Sequence, residues 1–459
     1  MISSELRAEL EAVLGPDRLL DGDAPGYDRD ATESRGLRGR PDAVALPQGT
    51  DEVAALVAAC CRHEMPMVPR GGGSGFAGGA VAVDGGVVVS LERMRAVRSF
   101  DPLLWRMEVE AGLPTSEVHR LAAESGLLFP PDPGAAEQSL IGGNVATNAG
   151  GPHAFKYGTT GAWVTGVEAV VAPGHVVRFG GPLRKDVAGY DLTHLLVGSE
   201  GTLGIITAVW LRLVPRPQTA VPVVALYEDT AAGVAAVGRV RASGIVPAAL
   251  EYLDGPAMAA VGASMPVTLP ETPGFAVLAE VDGSAEEVAV ARDELVEALE
   301  PDAVALLVPE TAADVRALWR WRGGVSIGVT AQRGGKLSED IVVPVERLGE
   351  AIEGIVAIGA RHGLPACSWG HAGDGNLHAT FMIDAADAVQ RERAHAAAAE
   401  VFALADDLGG SVSGEHGIGL VKREAVGARW SAEEHALQRA VKRSFDPQNL
   451  MNPGKKIVA

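Results

Sequence analysis

Three cysteines are all that the 459 residues contain, Cys60, Cys61 and Cys367, and none of them stands in a C-x-x-C pair. Such usage supports neither a disulfide framework nor an iron–sulfur cluster held by this chain alone. Cys60 and Cys61 fall inside an amphipathic helical pattern, where they read as small buried hydrophobes. Positive charge is also short: 39 Lys and Arg against 59 Asp and Glu leave a net charge of −20. That argues against nucleic-acid binding, which wants a basic face, and any anion-binding site must be locally positive against an unfavourable background. No apolar run is long enough to cross a bilayer. Residues 1–14 alternate Glu and Arg with Leu and Val at helical spacing. They have the character of neither a signal nor a transit peptide, so a cytoplasmic protein is expected.

The whole chain is 47% hydrophobic and 21% charged, ordinary for a globular protein, and its length predicts two or three domains. Ala43-Val44-Ala45-Leu46 reads as a strand, Thr50 as the cap of a helix running to about His63, and 65–69 as a returning extended segment. Strands are also predicted over 105–110, 164–172 and 175–179, and a helix over 116–125. Pro215-Arg216-Pro217 marks a boundary. Beyond it strands (221–226, 248–253, 275–281, 303–307) alternate with Ala-rich helices (230–242, 285–299, 311–322), which predicts an α+β sheet with helices on one face. Further helical patterns run to about 405 and from 431 to 444.

Glycine is where the chain speaks most clearly. Pro69-Arg70-Gly71-Gly72-Gly73-Ser74-Gly75 opens a run in which residues without Cβ let backbone N–H groups converge, a concavity suited to phosphate oxygens. Gly73-x-Gly75-x-x-Gly78 imitates the Rossmann pattern, but that pattern needs a helix next. The residues that follow, 80–89, predict a hairpin instead. A second stretch, 141–152, is built of Gly, Ala and Asn, and continues into Lys156-Tyr157-Gly158. A third is Gly198-Ser199-Glu200-Gly201-Thr202-Leu203-Gly204. Three such stretches between strands point to an extended cofactor.

Two histidines, His371 and His378, flank Ala372-Gly373-Asp374-Gly375-Asn376-Leu377, and Glu415-His416 follows in a second Gly-rich loop. Two imidazoles and a carboxylate are enough to hold a divalent cation such as zinc and leave coordination positions for substrate, with His416 remaining as an acid–base residue. Two satisfied core histidines would account for the pair as well.

On these motifs the chain resembles the FAD-linked oxidase family of the vanillyl-alcohol oxidase fold type. Within it, the likeness is to the branch of D-lactate dehydrogenases, glycolate oxidase flavoprotein subunits and D-2-hydroxyglutarate dehydrogenases. The resemblance covers nearly all of the chain beyond about residue 20. It implies an α+β fold: a two-part FAD-binding domain (1–217 and a returning segment 431–459, ending in Asn452-Pro453-Gly454-Lys455-Lys456) and an α+β cap domain (218–430). It implies that Pro69, Arg70, Gly71, Gly72, Gly73, Ser74 and Gly75 wrap the FAD pyrophosphate. Pro131, Gly142, Gly143, Asn144, Thr147, Gly150, Tyr157, Glu200, Gly204 and Ile206 would line the rest. Some members attach flavin through a His in the first loop; Ser74 in that neighbourhood implies non-covalent FAD.

The same resemblance assigns Arg322 and Lys336 to the substrate carboxylate, with Ser326 and Thr380 beside them, and His371, His378 and Glu415 to a metal, commonly zinc. Ser326 and Thr380 depart from the Thr and Asn favoured in the hydroxyglutarate branch, so D-lactate, glycolate and D-2-hydroxyglutarate all stay open. The expected reaction is oxidation of a small D-2-hydroxy acid to its 2-keto acid. The metal lowers the pKa of the hydroxyl, His416 takes the proton, and hydride passes to flavin N5. An electron acceptor is implied: a quinone, a cytochrome, an electron-transfer flavoprotein or an iron–sulfur subunit, through which the protein could lie peripheral to a membrane. A homodimer is the default oligomer. Two alternatives remain: an electron-relay subunit of a larger complex, and a non-redox FAD enzyme of the same fold related to alkyl-glycerone-phosphate synthase. Neither needs the His371, His378, Glu415 and His416 set.

Overall fold

The computed structural model describes residues 2–267 and 272–457. The chain divides into two compact units: residues 1–150, 159–216 and 415–459 form the first, and 151–158 with 217–414 the second. These cuts differ from the domains expected above, because 415–430 goes with the first unit and the short segment 151–158 with the second.

In the first unit, β1 (Leu19–Asp21), β2 (Ala43–Ala45), β3 (Met67–Arg70) and β4 (Val87–Ser90) make a sheet in the order β1-β2-β4-β3. The expected hairpin over 80–89 is absent. Val87–Ser90 runs parallel to both β2 and β3, so both of its edges are taken, and Ala82 O accepts a hydrogen bond from Arg40 N–H instead. The element after the glycines is β4 and not a helix, in keeping with the rejection of a Rossmann turn. The helix Thr50–Arg62 forms, but Thr50 does not cap it. Gly49 is the cap residue, and the Thr50 hydroxyl donates to Glu168 at 2.6 Å.

Next come β5 (Val97–Asp101), β6 (Arg106–Glu110), the two-residue β7 (Leu127–Leu128), β8 (Val164–Val171), β9 (His175–Gly180), β10 (Ile205–Arg212) and the two-residue β11 (Val214–Pro215). Five of them form an antiparallel sheet in the order β5-β6-β10-β8-β9, and β7 pairs with β11.

The second unit is built on one antiparallel sheet of β12 (Thr219–Tyr227), β13 (Ala249–Asp254), β14 (Phe275–Gly283), β15 (Ala303–Leu307), β16 (Gly335–Val342), β17 (Ala366–His371) and β18 (Asn376–Ile383). Their order is β15-β12-β14-β13-β17-β18-β16. Helices cover both faces, not one. Val223, Ala225 and Tyr227 of β12 join the core under the helices Thr230–Ala242, Ala285–Leu299, Leu348–Arg361 and Ala388–Asp407. Val224 and Leu226 join a second core with Met258, Leu318, Trp321 and Val325, on the shorter helices. A strand apolar at successive positions must bury both sides. Capping boxes at Ser284 with Glu287 and Thr311 with Asp314 start two of these helices.

That second face is not apolar throughout. By strand alternation Glu251, Glu280, Lys336, Ser338, Asp340, His371, His378 and Thr380 share it with the second core, because their neighbours Leu250, Tyr252, Leu337, Leu377 and Ala379 point into the first.

Candidate active site

In the first unit the three glycine-rich stretches meet. Ile141–Thr147 is a short helix, closed by Asn148 at φ 55°. Gly143 lies against the backbone of Gly71, and a side chain at Gly142 would strike Ala111. Glu200 N–H donates to Ala146 O and Gly198 N–H to Val145 O, which ties the third stretch to the second. Pro69 packs against Gly201. Arg70, Gly73 and Ser74 line a cleft of about 280 Å³ with Arg29, Asp30 and Phe76.

The Arg70 guanidinium turns toward backbone, donating to Gly26 O at 2.9 Å and Arg29 O at 2.7 Å, and lies over the Tyr27 ring. Pro131 O accepts from the His119 ring at 2.8 Å, Asn144 Nδ2 donates to Thr115 and Thr147 Oγ1 to Gly143 O. Gly204 sits close to Val170 O, and Ile206 pairs with Ala169 in the sheet. Tyr157 belongs to the second unit, where its hydroxyl donates to Asp282 at 2.6 Å; burial and that carboxylate raise its pKa.

Glu200 commits its carboxylate to the loop that carries His416. It accepts from Ile418 N–H at 2.9 Å and Gly419 N–H at 2.6 Å, and pairs with Lys456 at 3.2 Å. Gly419, at φ 48°, passes so close to Ala77 O that a Cβ would collide with it. The His416 ring lies 4.7 Å from that of Phe76, centroid to centroid. Asn452 and Lys455 of the closing motif grip Gly79 O, and Lys455 also Val81 O.

In the second unit His371 ends β17 and His378 lies in β18, opposite Trp369. The two imidazoles meet edge to face, 5.5 Å apart. His371 is cross-strand partner to Glu251, and its Nδ1 lies 2.6 Å from Glu251 Oε1. Glu251 is wholly buried, and its Oε2 sits 2.5 Å from Arg322. Burial would raise this carboxyl, but the neighbouring His371 and Arg322 outweigh it and hold the pKa below its usual value.

Donation from Nδ1–H leaves the His371 Nε2 lone pair to face a cation, the arrangement found where carboxylates orient metal-binding histidines. Asp340, also buried, accepts from Asn376 Nδ2 at 2.6 Å, Ser413 Oγ at 2.7 Å and Gly414 N–H at 2.9 Å. Glu415 follows Gly414 directly in the chain. His371 and His378 bring two imidazoles together on one face of this sheet, and two imidazoles with a carboxylate are a donor set that fits a divalent cation.

Arg322 and Lys336 both have partners within the second unit. Arg322 is 8% exposed and engaged with Glu251, while its Nε–H is buried without a hydrogen-bond partner among the described residues. Lys336 Nζ bonds the Ser326 carbonyl and hydroxyl and sits 5.1 Å from the Trp369 ring centre; burial pushes it down to about 8. Thr380 pairs with Ser338 at 2.8 Å. Glu251, Asp340 and Asn376 are not singled out by the sequence reading. The signal available for Glu251 is a single carboxylate inside an apolar strand, Ala249-Leu250-Glu251-Tyr252-Leu253.

Residues 41–180 match the FAD binding domain family, and residues 216–456 match the family described as FAD linked oxidases, C-terminal domain. The chain belongs to the FAD-linked oxidase family. It is 38% identical to glycolate oxidase subunit GlcD of Bacillus subtilis, over 99% of this chain and 97% of that protein. It is 33% identical to D-lactate dehydrogenase of Anaerostipes hadrus, over 96% and 95%. To D-2-hydroxyglutarate dehydrogenase of Xanthomonas citri pv. viticola it is 35% identical, over 94% and 92%. Among solved structures, p-cresol methylhydroxylase superposes with a TM-score of 0.82 over 98% of this chain and 96% of that one, at 18% identity, a likeness of fold. The expected vanillyl-alcohol oxidase fold type and family are therefore borne out, and this chain is an FAD-linked oxidoreductase. No helix among the described residues is long and apolar enough to cross a membrane.

Proposed function

We propose that this oxidoreductase converts a small D-2-hydroxy acid, D-lactate, glycolate or D-2-hydroxyglutarate, to the 2-keto acid. The activities named for its relatives support the substrate class. The observation that carries the reading is the buried carboxylate–imidazole pair Glu251–His371 beside His378. When bound, FAD supplies the hydride acceptor, and a divalent cation, zinc by its donor set, supplies a Lewis acid toward the hydroxyl.

The chain's own residues do the rest. His371, His378 and Glu415 hold the cation. Lys336 and Arg322 attract the substrate carboxylate, with Ser326 and Thr380 shaping their surroundings. His416 accepts the hydroxyl proton. Arg70, Ser74 and the glycines beside them hold FAD without a covalent bond. The three cysteines are buried and free, so electrons leave to a separate acceptor, as the subunit names of relatives suggest.

The test is anaerobic bleaching of the flavin by D-lactate, L-lactate, glycolate and D-2-hydroxyglutarate, before and after chelation. Bleaching by one of the D-acids or glycolate, abolished by chelator and restored by zinc, is expected. Failure of every hydroxy acid in zinc-replete protein refutes the proposal.

A further inference from the structure

We infer that Glu251 is a positioning residue for two sites at once: it orients His371 toward the cation and Arg322 toward the substrate carboxylate, so the two are coupled. The inference rests on the function proposed above and deepens it.

The geometry is specific. Glu251 of β13 stands directly across from His371 of β17, so pleating projects both side chains from the same face. Its two oxygens are divided, Oε1 to His371 Nδ1 at 2.6 Å and Oε2 to Arg322 Nη2 at 2.5 Å. The carboxylate is 0% exposed, so solvent cannot substitute for either partner. Each partner keeps one function that Glu251 does not engage. On His371 it is the Nε2 lone pair. On Arg322, itself 8% exposed, it is an Nε–H with no hydrogen-bond partner among the described residues, a donor suited to an anion. A group that binds at either end is therefore felt at the other through one carboxylate, and such coupling is reciprocal.

Glutamine shows why the carboxylate is needed. Its amide has one acceptor oxygen and no charge, while a ring N–H and a guanidinium ion must both be met. If the amide N–H₂ faces His371, the ring must accept at Nδ1 and carry its proton on Nε2, where the cation would bind. If the oxygen faces His371, the N–H₂ opposes the Arg322 guanidinium and displaces it.

The experiment uses FAD-loaded protein. Zinc alone is titrated into parent chain and Glu251→Gln by competition with a chelator, and hydroxy-acid kinetics are then measured at saturating zinc. A zinc Kd raised about 10–100-fold is expected. At saturating zinc, kcat should recover to within about threefold while KM stays raised about tenfold. A merely structural defect would not split kcat from KM in this way. Should Glu251→Gln fail to fold, Glu251→Asp keeps the charge but cannot span both partners, and is expected to show the same split more weakly. Zinc binding and KM both equal to the parent's, or a KM that zinc restores fully, overturns the coupling while leaving the proposed function standing. A parent chain that binds no divalent cation overturns both.

Discussion

Asp340→Asn is the sharpest test of how the site is built. Asp340 is fully buried, and its two oxygens face different partners: Oδ1 the Asn376 amide, Oδ2 the Ser413 hydroxyl and the Gly414 N–H. The substitution changes almost no volume, so packing is preserved and only hydrogen bonding changes. However the new amide is turned, its N–H₂ points at a donor. In the less costly orientation it opposes Asn376, which keeps Ile341 O as a second acceptor at 2.8 Å. That orientation loses one bond to a charged acceptor, worth about 1.5–3 kcal/mol. The other orientation keeps the Asn376 bond but loses that of Gly414 N–H and leaves this donor unsatisfied, which costs about 1–3 kcal/mol more. With roughly 200 residues in the second unit, a loss of about 2 kcal/mol lowers its Tm by about 4–8 °C. Because Gly414 carries Glu415, zinc affinity should fall with Tm. Calorimetry and a zinc titration on the FAD-loaded protein check both. A Tm within about 1 °C of the parent and unchanged zinc affinity would refute the claim that Asp340 pins this segment.

Two further outcomes are expected. His416→Ala should cut kcat by about 10²–10⁴-fold, the usual contribution of a general base, and leave the flavin absorption spectrum intact; full activity would remove His416 from the mechanism. Lys336, lowered by burial to about 8, is charged below that pH and neutral above it. Affinity for the hydroxy acid should therefore be full below about pH 8 and decline above it, and Lys336→Arg, always charged, should abolish the decline; a KM that stays flat well into the alkaline range in the parent chain would sink the assignment.

Much of this is legible in the amino-acid sequence. The glycine stretches announce a cofactor because φ freedom and missing side chains leave a local signature, and they do converge, joined by Gly198 and Glu200 N–H to the 141–147 helix. The predicted strands of the second unit form because their apolar runs are continuous. Their layering is hidden for the same reason: a run apolar at every position, as in Val223 to Leu226, does not announce that each of its two faces will be covered by its own set of helices. The 80–89 hairpin is a local inference defeated by two distant strands that claim both edges of Val87–Ser90.

Residue types and spacing set out which chemistry was on offer: two imidazoles and a carboxylate near glycine turns, the cations Arg322 and Lys336, and three cysteines in no C-x-x-C pair. The disposition of those groups came from the fold. A histidine's useful nitrogen depends on what its other nitrogen bonds, and for His371 that partner is Glu251, 120 residues away in sequence. Arg322 and Lys336 look alike as charges in a sequence, yet one is paired with a buried carboxylate and the other rests on neutral oxygens and an indole ring. Such differences come from strand register and burial, which bring together residues that no local pattern connects.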